Sequence, residues 1–349
     1  KLTCHRGALR FAKELLRLLR GSKLILWGHE AISLNSIASE VRSIDGGVEV
    51  VIPMDRLRAL CVDPHLLAKA IGDLLDADVR VLTYRNTVTY SILGADPNTV
   101  VRLEIPYSVL GIVQDAYTIR CSPKIYGTVL DFLEYAERVI LDEANSITDN
   151  PVIVPEECET YSSGHFHGQY IAFVTDALAL AISYIAGVSE RRIFRLLDPA
   201  LNRGLPAFLI REEGLNSGLM ITQYVAAALQ SIASVLSHPS SVYSLPTSAG
   251  QEDWNSMGAN SAWKLMDVVK ATARITATET LCASQAIILR TRGDMEMLGE
   301  GTRNIMKRIL KLVELPIVED RYLKDDIDKL EAMVLRETPP SFSIFRRER

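Results

Sequence analysis

At 349 residues and 48% hydrophobic, the chain can bury a large core spread over one to three domains. Its net charge of −5 provides no basic stripe of the kind that nucleic acid calls for. Cys4, Cys61, Cys121, Cys158 and Cys282 are odd in number, scattered and never spaced C-x-x-C, which argues against a disulfide framework or a zinc cluster and fits a reducing, cytoplasmic setting.

Taken in chain order, residues 1–23 set Arg6, Arg10, Lys13, Arg17, Arg20 and Lys23 around Leu9, Ala12, Leu15, Leu16 and Leu19, which predicts a basic amphipathic helix. Its length and Glu14 favour a solvated surface helix over a transit peptide or a membrane-surface helix. Residues 24–110 mix short β-like runs (48–52, 79–82 and 100–103) with a helical stretch near 55–77, punctuated by Gly46-Gly47, Pro53, Pro64, Gly94 and Pro106. Residues 1–110 are therefore expected to form a smaller mixed α/β region.

From residue 111 to 338 the pattern is nearly all helix, and the fold class expected is mainly α, a bundle of long near-parallel helices. Val129, Phe132, Leu133, Ala136, Val139 and Ile140 repeat at the three-four spacing of a buried face, and Pro151 closes that element. Further helices are predicted over 167–198 and 215–237. The apolar run Ile171 to Val188 carries one charge, Asp176; its alanines, Thr175 and Ser183 mark a core helix, and no membrane segment is expected. A proline-free stretch over 251–292 predicts a helix of roughly 60 Å, with Leu265, Val268, Val269, Thr272, Ile275, Ala277 and Leu281 on its buried stripe. Trp263 and Met266 are expected in the core. Rods this long imply faces shared between subunits. Residues 339–349 are expected to be a loose tail.

Polar residues interrupt this apolar pattern in four places. Gln114, Tyr117 and Arg120 recur at i, i+3, i+6 and share a helix face. Arg120 offers a planar fork suited to a carboxylate, the alternative being a structural ion pair. The run 163–169 carries His165-Phe166-His167; on a strand the two imidazoles would share a face, but without a third ligand no metal is assigned. Asn216-Ser217-Gly218 and Ser248-Ala249-Gly250 are small enough for close packing at helix or subunit contacts. Glu252 and Asp253 stand before the longest helical run, placed either to cap it or to face a ligand.

The run Pro246-Thr247-Ser248-Ala249-Gly250-Gln251-Glu252-Asp253 resembles a signature of the aromatic amino acid lyase family, closest to its histidine-directed branch. The runs 113–120, 163–169 and 214–220 resemble three further family motifs and come in family order, so that the resemblance covers about residues 111–335. It implies elimination of ammonia from an aromatic amino acid, L-histidine to trans-urocanate, with no external cofactor. The electrophile is then a methylidene-imidazolone ring made from an Ala-Ser-Gly tripeptide of the backbone. By resemblance Arg120, with Gln114, binds the substrate carboxylate, Tyr117 assists proton transfer, Phe166 packs beside the electrophile, and Glu252 selects histidine where phenylalanine- and tyrosine-directed members carry glutamine. It also implies a homotetramer whose sites combine segments of more than one subunit.

The sequence departs from the family in containing no Ala-Ser-Gly, no Tyr-Gly-x-x-Thr-Gly-Phe-Gly and no Asn-Gly-Thr, and in placing His165 for asparagine and Trp254 for histidine. The prosthetic segment is expected to lie outside these 349 residues. The alternatives are a phenylalanine or tyrosine lyase or aminomutase, a non-catalytic homologue or scaffold subunit, and a member of the fumarase and aspartase superfamily.

Overall fold

The computed structural model describes residues 31–33, 38–44, 47–54, 57, 64–84, 87–96, 99–100, 104–106 and 115–336. The expectations for residues 1–23, for Gln114 and for the 339–349 tail lie outside the described residues.

In the N-terminal part, β1 (Ala31–Ser33) pairs with β6 (Glu104–Pro106). Strands β2 (Glu40–Ile44), β3 (Gly47–Pro53), β4 (Asp78–Tyr84) and β5 (Thr87–Leu93) form an antiparallel sheet in the order β2-β3-β5-β4. The register sets Val48 opposite Ile92, Val50 opposite Tyr90 and Ile52 opposite Val88. Because side chains alternate along a strand, all six land on one face, where they are fully buried. Helix α1 (Pro64–Leu75) covers that face with Leu67, Ala70 and Ile71, and Pro64 suits its first turn, where no N–H bond is lost. The β-like run at 100–103 is not a strand at its described residue, since Val100 lies in a helical turn.

The rest is helical: α2 (Tyr117–Arg120), α3 (Ser122–Ala144), α4 (Gln169–Leu197), α5 (Met220–Leu236), α6 (Gly258–Thr291), α7 (Glu300–Ile309) and α8 (Lys324–Arg336). A small hairpin, β7 (Val152–Val154) and β8 (Glu159–Tyr161), follows α3. Helix α6 packs along α4, with α5 and α8 against it and α3 against α4. The main core joins Ile193 and Leu197 of α4 to Ile275, Leu281 and Ile288 of α6, Met306 of α7 and Leu330 of α8. The mainly helical fold class expected above is the one observed. Helix α4 with its preceding turn is long and apolar enough to cross a membrane, yet half of its most apolar window is buried inside the chain, as in a core helix.

Helix α6 is rich in threonine, which ordinarily favours strands. Its hydroxyls are satisfied locally: Thr272, Thr276, Thr278 and Thr280 each donate to the carbonyl four residues back. Gln285, fully buried, donates to the Leu209 and Ile317 carbonyls and accepts from the Ile317 N–H, tying two loops to α6.

Several boundaries and faces differ from expectation. α6 begins at Gly258, not at 251, because residues 247–255 close a loop of their own; it spans about 51 Å at 1.5 Å per residue. Glu252 and Asp253 therefore do not cap it. α5 begins at Met220, not at 215, because the Asp320 carboxylate accepts the Ser217 and Gly218 N–H groups and holds them in a turn. Ile140 is exposed, as are Trp263 (74%) and Met266 (57%), which lie with Lys270 on the flank of α6 that turns away from Val268, Ala271 and Ile275.

Candidate active site

Two clusters hold the residues singled out in the sequence. The first lies at the one-turn helix α2. Arg120 donates from Nε to the Asp115 carbonyl at 2.9 Å, and its guanidinium stands 4.5 Å from the centre of the Tyr117 ring. Tyr117 is 68% exposed. Among the described residues no carboxylate pairs with Arg120; the Asp115 side chain is taken by Arg203 instead. The outer N–H groups of Arg120 therefore face outward with charge to offer, in a fork suited to an external carboxylate.

The second cluster joins the turn before α4 to the loop before α6. Residues His165–His167 form a single 3-10 turn, not a strand, so the two imidazoles do not share a strand face. Gly168 follows at φ 71°, a left-handed conformation that reverses the chain into α4 and that glycine adopts at low cost. His167 Nε2 lies 2.9 Å from the Trp254 carbonyl oxygen, and the Trp254 indole N–H donates to Gln169 Oε1 at 3.3 Å. These contacts latch the Phe166 turn to the Glu252 loop, and Phe166 is itself 55% exposed. Among the described residues no group of three His, Cys, Asp or Glu side chains is arranged to hold a metal.

The Glu252 loop is built from its own polar groups. Thr247 and Glu252 exchange backbone hydrogen bonds, and the Thr247 hydroxyl donates to the Glu252 carboxylate. Asn255 donates from Nδ2 to the Leu245 carbonyl at 2.7 Å and to Thr247 Oγ1 at 3.1 Å, while its N–H binds Ser244 Oγ at 2.6 Å. Hydroxyl donation by Thr247 and then Ser248 holds the Glu252 carboxyl below the usual carboxylate range, so it is an anion at neutral pH. Ser248-Ala249-Gly250 is a left-handed turn that is exposed on the single chain and packs closely against none of its helices. Gly218, by contrast, is close-packed against Ile210 and Phe208.

Behind this loop lies a pair that the sequence reading did not assign. Asp176, 4% exposed, stands 3.1 Å from Lys264 Nζ and accepts the Ser241 N–H at 2.8 Å; Lys264 also donates to the His238 carbonyl. Burial works against the Asp176 carboxylate, but the hydrogen bonds from Ser241, Ser240 and Lys264 outweigh it and lower its pKa. The segment 238–241 leading into the loop is thereby pinned to α4 and α6. The signal was present in the sequence, since Asp176 is the one charge in an otherwise apolar run. Cys282, buried beside Thr222, has its thiol pushed up to about 12 by burial and is unreactive.

Within one chain the clusters do not meet. Gln169, beside Trp254, and Arg192, which reaches the Thr118 carbonyl, lie at opposite ends of α4, about 35 Å apart along the helix.

Residues 95–311 match the aromatic amino acid lyase family. The chain belongs to the aromatic amino acid lyase family. It is 50% identical over 216 residues to histidine ammonia-lyase of Caldanaerobacter subterraneus subsp. tengcongensis, a match covering 62% of this chain and 42% of that protein. The crystal structure of histidine ammonia-lyase from Trypanosoma cruzi superposes with a TM-score of 0.60 at 40% identity, covering 64% of this chain and 43% of that one. Tyrosine aminomutase from Streptomyces globisporus superposes with a TM-score of 0.69 at 26% identity over 95% of this chain and 51% of that one. The match thus spans about two-fifths of the length of several curated histidine ammonia-lyases and 57% of that of Aromatoleum aromaticum, and the family's long-helix architecture is the one that carries both clusters.

Proposed function

We propose that this chain supplies the substrate-binding and ring-selecting residues of an ammonia-lyase acting on L-histidine, releasing trans-urocanate and ammonia. The observation that carries this reading is Glu252: an anion held by Thr247 and Ser248, in a loop latched beside Phe166. A fixed carboxylate can accept a hydrogen bond from an imidazole N–H, which a phenyl ring cannot offer. Arg120, unpaired with any described carboxylate and stacked on Tyr117, is suited to the substrate carboxylate, and the exposed Tyr117 hydroxyl to proton transfer. Gln114 completes this group in the resemblance alone.

These 349 residues contain no Ala-Ser-Gly and so do not themselves make the methylidene-imidazolone electrophile of such chemistry. What they contribute is binding, orientation and proton handling. The separation of the Arg120 and Glu252 clusters along α4 supports a homo-oligomeric site, in which each cluster meets its complement on another chain, as in the homotetramer that the resemblance implies. A tyrosine or phenylalanine lyase or aminomutase is the second reading, favoured by the likeness to tyrosine aminomutase over nearly the whole chain and by the aromatic Trp254.

The test is incubation of the purified protein with L-histidine, L-phenylalanine and L-tyrosine, following ammonia and the ultraviolet absorbance of the conjugated acid. Urocanate from histidine alone supports the reading. Turnover of phenylalanine or tyrosine instead transfers it to the second. At an intact mass near 38.7 kDa the chain brings no electrophile of its own, so turnover then requires a second subunit that carries one. No product from any of the three with such a subunit present leaves a non-catalytic subunit and overturns both.

A further inference from the structure

Helix α2 carries Tyr117 and Arg120 yet buries none of its own residues. A single turn has few hydrogen bonds to hold it, and helices so short are marginal without tertiary support. Its internal bonds run from the Ile119 and Arg120 N–H groups to the Ala116 carbonyl, at 2.9 and 3.0 Å, and from the Cys121 N–H to the Tyr117 carbonyl at 2.9 Å. The Thr118 hydroxyl is buried without a partner among the described residues, so it does not tether the turn. The Thr118 carbonyl does, accepting from Arg192 Nη1 at 3.3 Å.

Arg192 is itself locked. Glu279 of α6 takes its Nε and Nη2 as a two-point fork, the latter at 2.8 Å, and Nη2 also donates to the Tyr126 hydroxyl of α3 at 2.7 Å. The Arg192 and Glu279 side chains are 21% and 17% exposed. Two parallel bonds to one carboxylate fix the plane of a guanidinium as well as its distance. With that plane set, Nη1 is aimed at the carbonyl between Tyr117 and Arg120. A buried ion pair is weak grounds for stability by itself, because desolvation offsets much of its attraction. Its geometric effect is another matter.

We propose that Arg192 is a positioning residue, which Glu279 and Tyr126 lock so that it grips the Thr118 carbonyl and sets where Tyr117 and Arg120 stand. The proposal rests on the lyase reading for its catalytic consequence, though not for its structural one. A lysine here would keep the charge and pair with Glu279, but one ammonium cannot hold a two-point fork and reach Thr118 together. Charge alone is therefore insufficient.

The test uses the full 349-residue chain with Arg192→Lys, and with Arg192→Met paired to Glu279→Leu so that no charge is left buried alone. Amide hydrogen exchange is read at Arg120 and Cys121, against the cores of α4 and α6 as internal reference. Both variants should keep wild-type protection in the helix cores and exchange at least tenfold faster at the two α2 amides. Wild-type exchange there in a folded variant overturns the proposal. Where the wild-type protein turns over histidine, Arg192→Lys should also lower kcat/KM at least tenfold with little change in the thermal midpoint. An activity loss that merely follows the unfolded fraction assigns Arg192 a structural role only and overturns the proposal too. An inactive 349-residue chain is what its lack of Ala-Ser-Gly implies; the exchange result alone then decides the Arg192 assignment, and the lyase reading stands or falls on the turnover test above.

Discussion

Glu252 and Arg120 are both charged and both presented outward, but they are held in different ways. Two hydroxyl donors on its own loop lower the pKa of the Glu252 carboxyl further below an already acidic ordinary value, so what the closed loop fixes is where the charge stands. Replacing it by glutamine keeps the shape and removes the anion. A hydrogen bond to a charged group contributes about 1.5–3 kcal/mol, so Glu252→Gln is expected to lower kcat/KM for L-histidine at least tenfold while leaving the unfolding midpoint unchanged. Steady-state kinetics beside thermal melts check this. Asp176 obeys the same electrostatics with a structural outcome. Its folded pKa lies below its unfolded value, so its stabilisation is complete above the ordinary carboxylate range and is lost as pH falls through the folded pKa. Asp176→Asn leaves Lys264 without its buried counter-ion and is expected to cost roughly 3–5 kcal/mol at neutral pH. It should also flatten the acid limb of stability, read from urea unfolding between about pH 3 and pH 7.

At the scale of elements, loops rather than helices decide where the chemistry stands. The 244–255 loop is closed by Thr247 and Asn255, the 214–219 turn by Asp320, and helix α2 by Arg192. Gly218 makes the point in one residue: it sits at φ 54°, and a Cβ there would stand 2.7 Å from the Ile210 Cβ and 2.8 Å from the Phe208 carbonyl oxygen. Left-handed strain and overpacking together predict that Gly218→Ala costs about 2–4 kcal/mol, measurable by chemical denaturation. Gly250, whose Cβ would meet nothing within 4 Å, carries only the strain of its positive φ, and Gly250→Ala should cost about 1 kcal/mol.

At the scale of the whole molecule, the clusters at the two ends of α4 and the exposed faces of the long helices make one argument. Tyr170, Phe173 and Tyr184 of α4, Tyr224 of α5 and Trp263 of α6 all stand exposed on the single chain, aromatic surface of the kind that contacts between chains cover. If a site is shared, Arg120→Gln and Glu252→Ala subunits should each be inactive alone and regain activity when co-expressed. With random assembly and one contribution from each of two chains, roughly a quarter of sites would carry both native residues. Failure to recover any activity would place both residues in sites made by one chain. Size-exclusion with light scattering supplies the oligomeric state for the same samples.

By itself the sequence determined the helical class, the position of nearly every long rod and the family, because apolar spacing and motif order are local properties of the chain. Through the resemblance of its motifs to the family's it also pointed to Tyr117, Arg120, Phe166 and Glu252. Only the tertiary structure decided that Glu252 lies in a closed loop ahead of α6 instead of capping it, and that His165 and His167 share a 3-10 turn. The partners Asp320, Lys264, Glu279 and Arg192 also had no local signal, since each acts on a segment far away in sequence. Charge on a helix reads as solvation until another element is folded against it. The distance between the two clusters was likewise hidden, for it is set by the length of α4 and by which loops dock at its two ends.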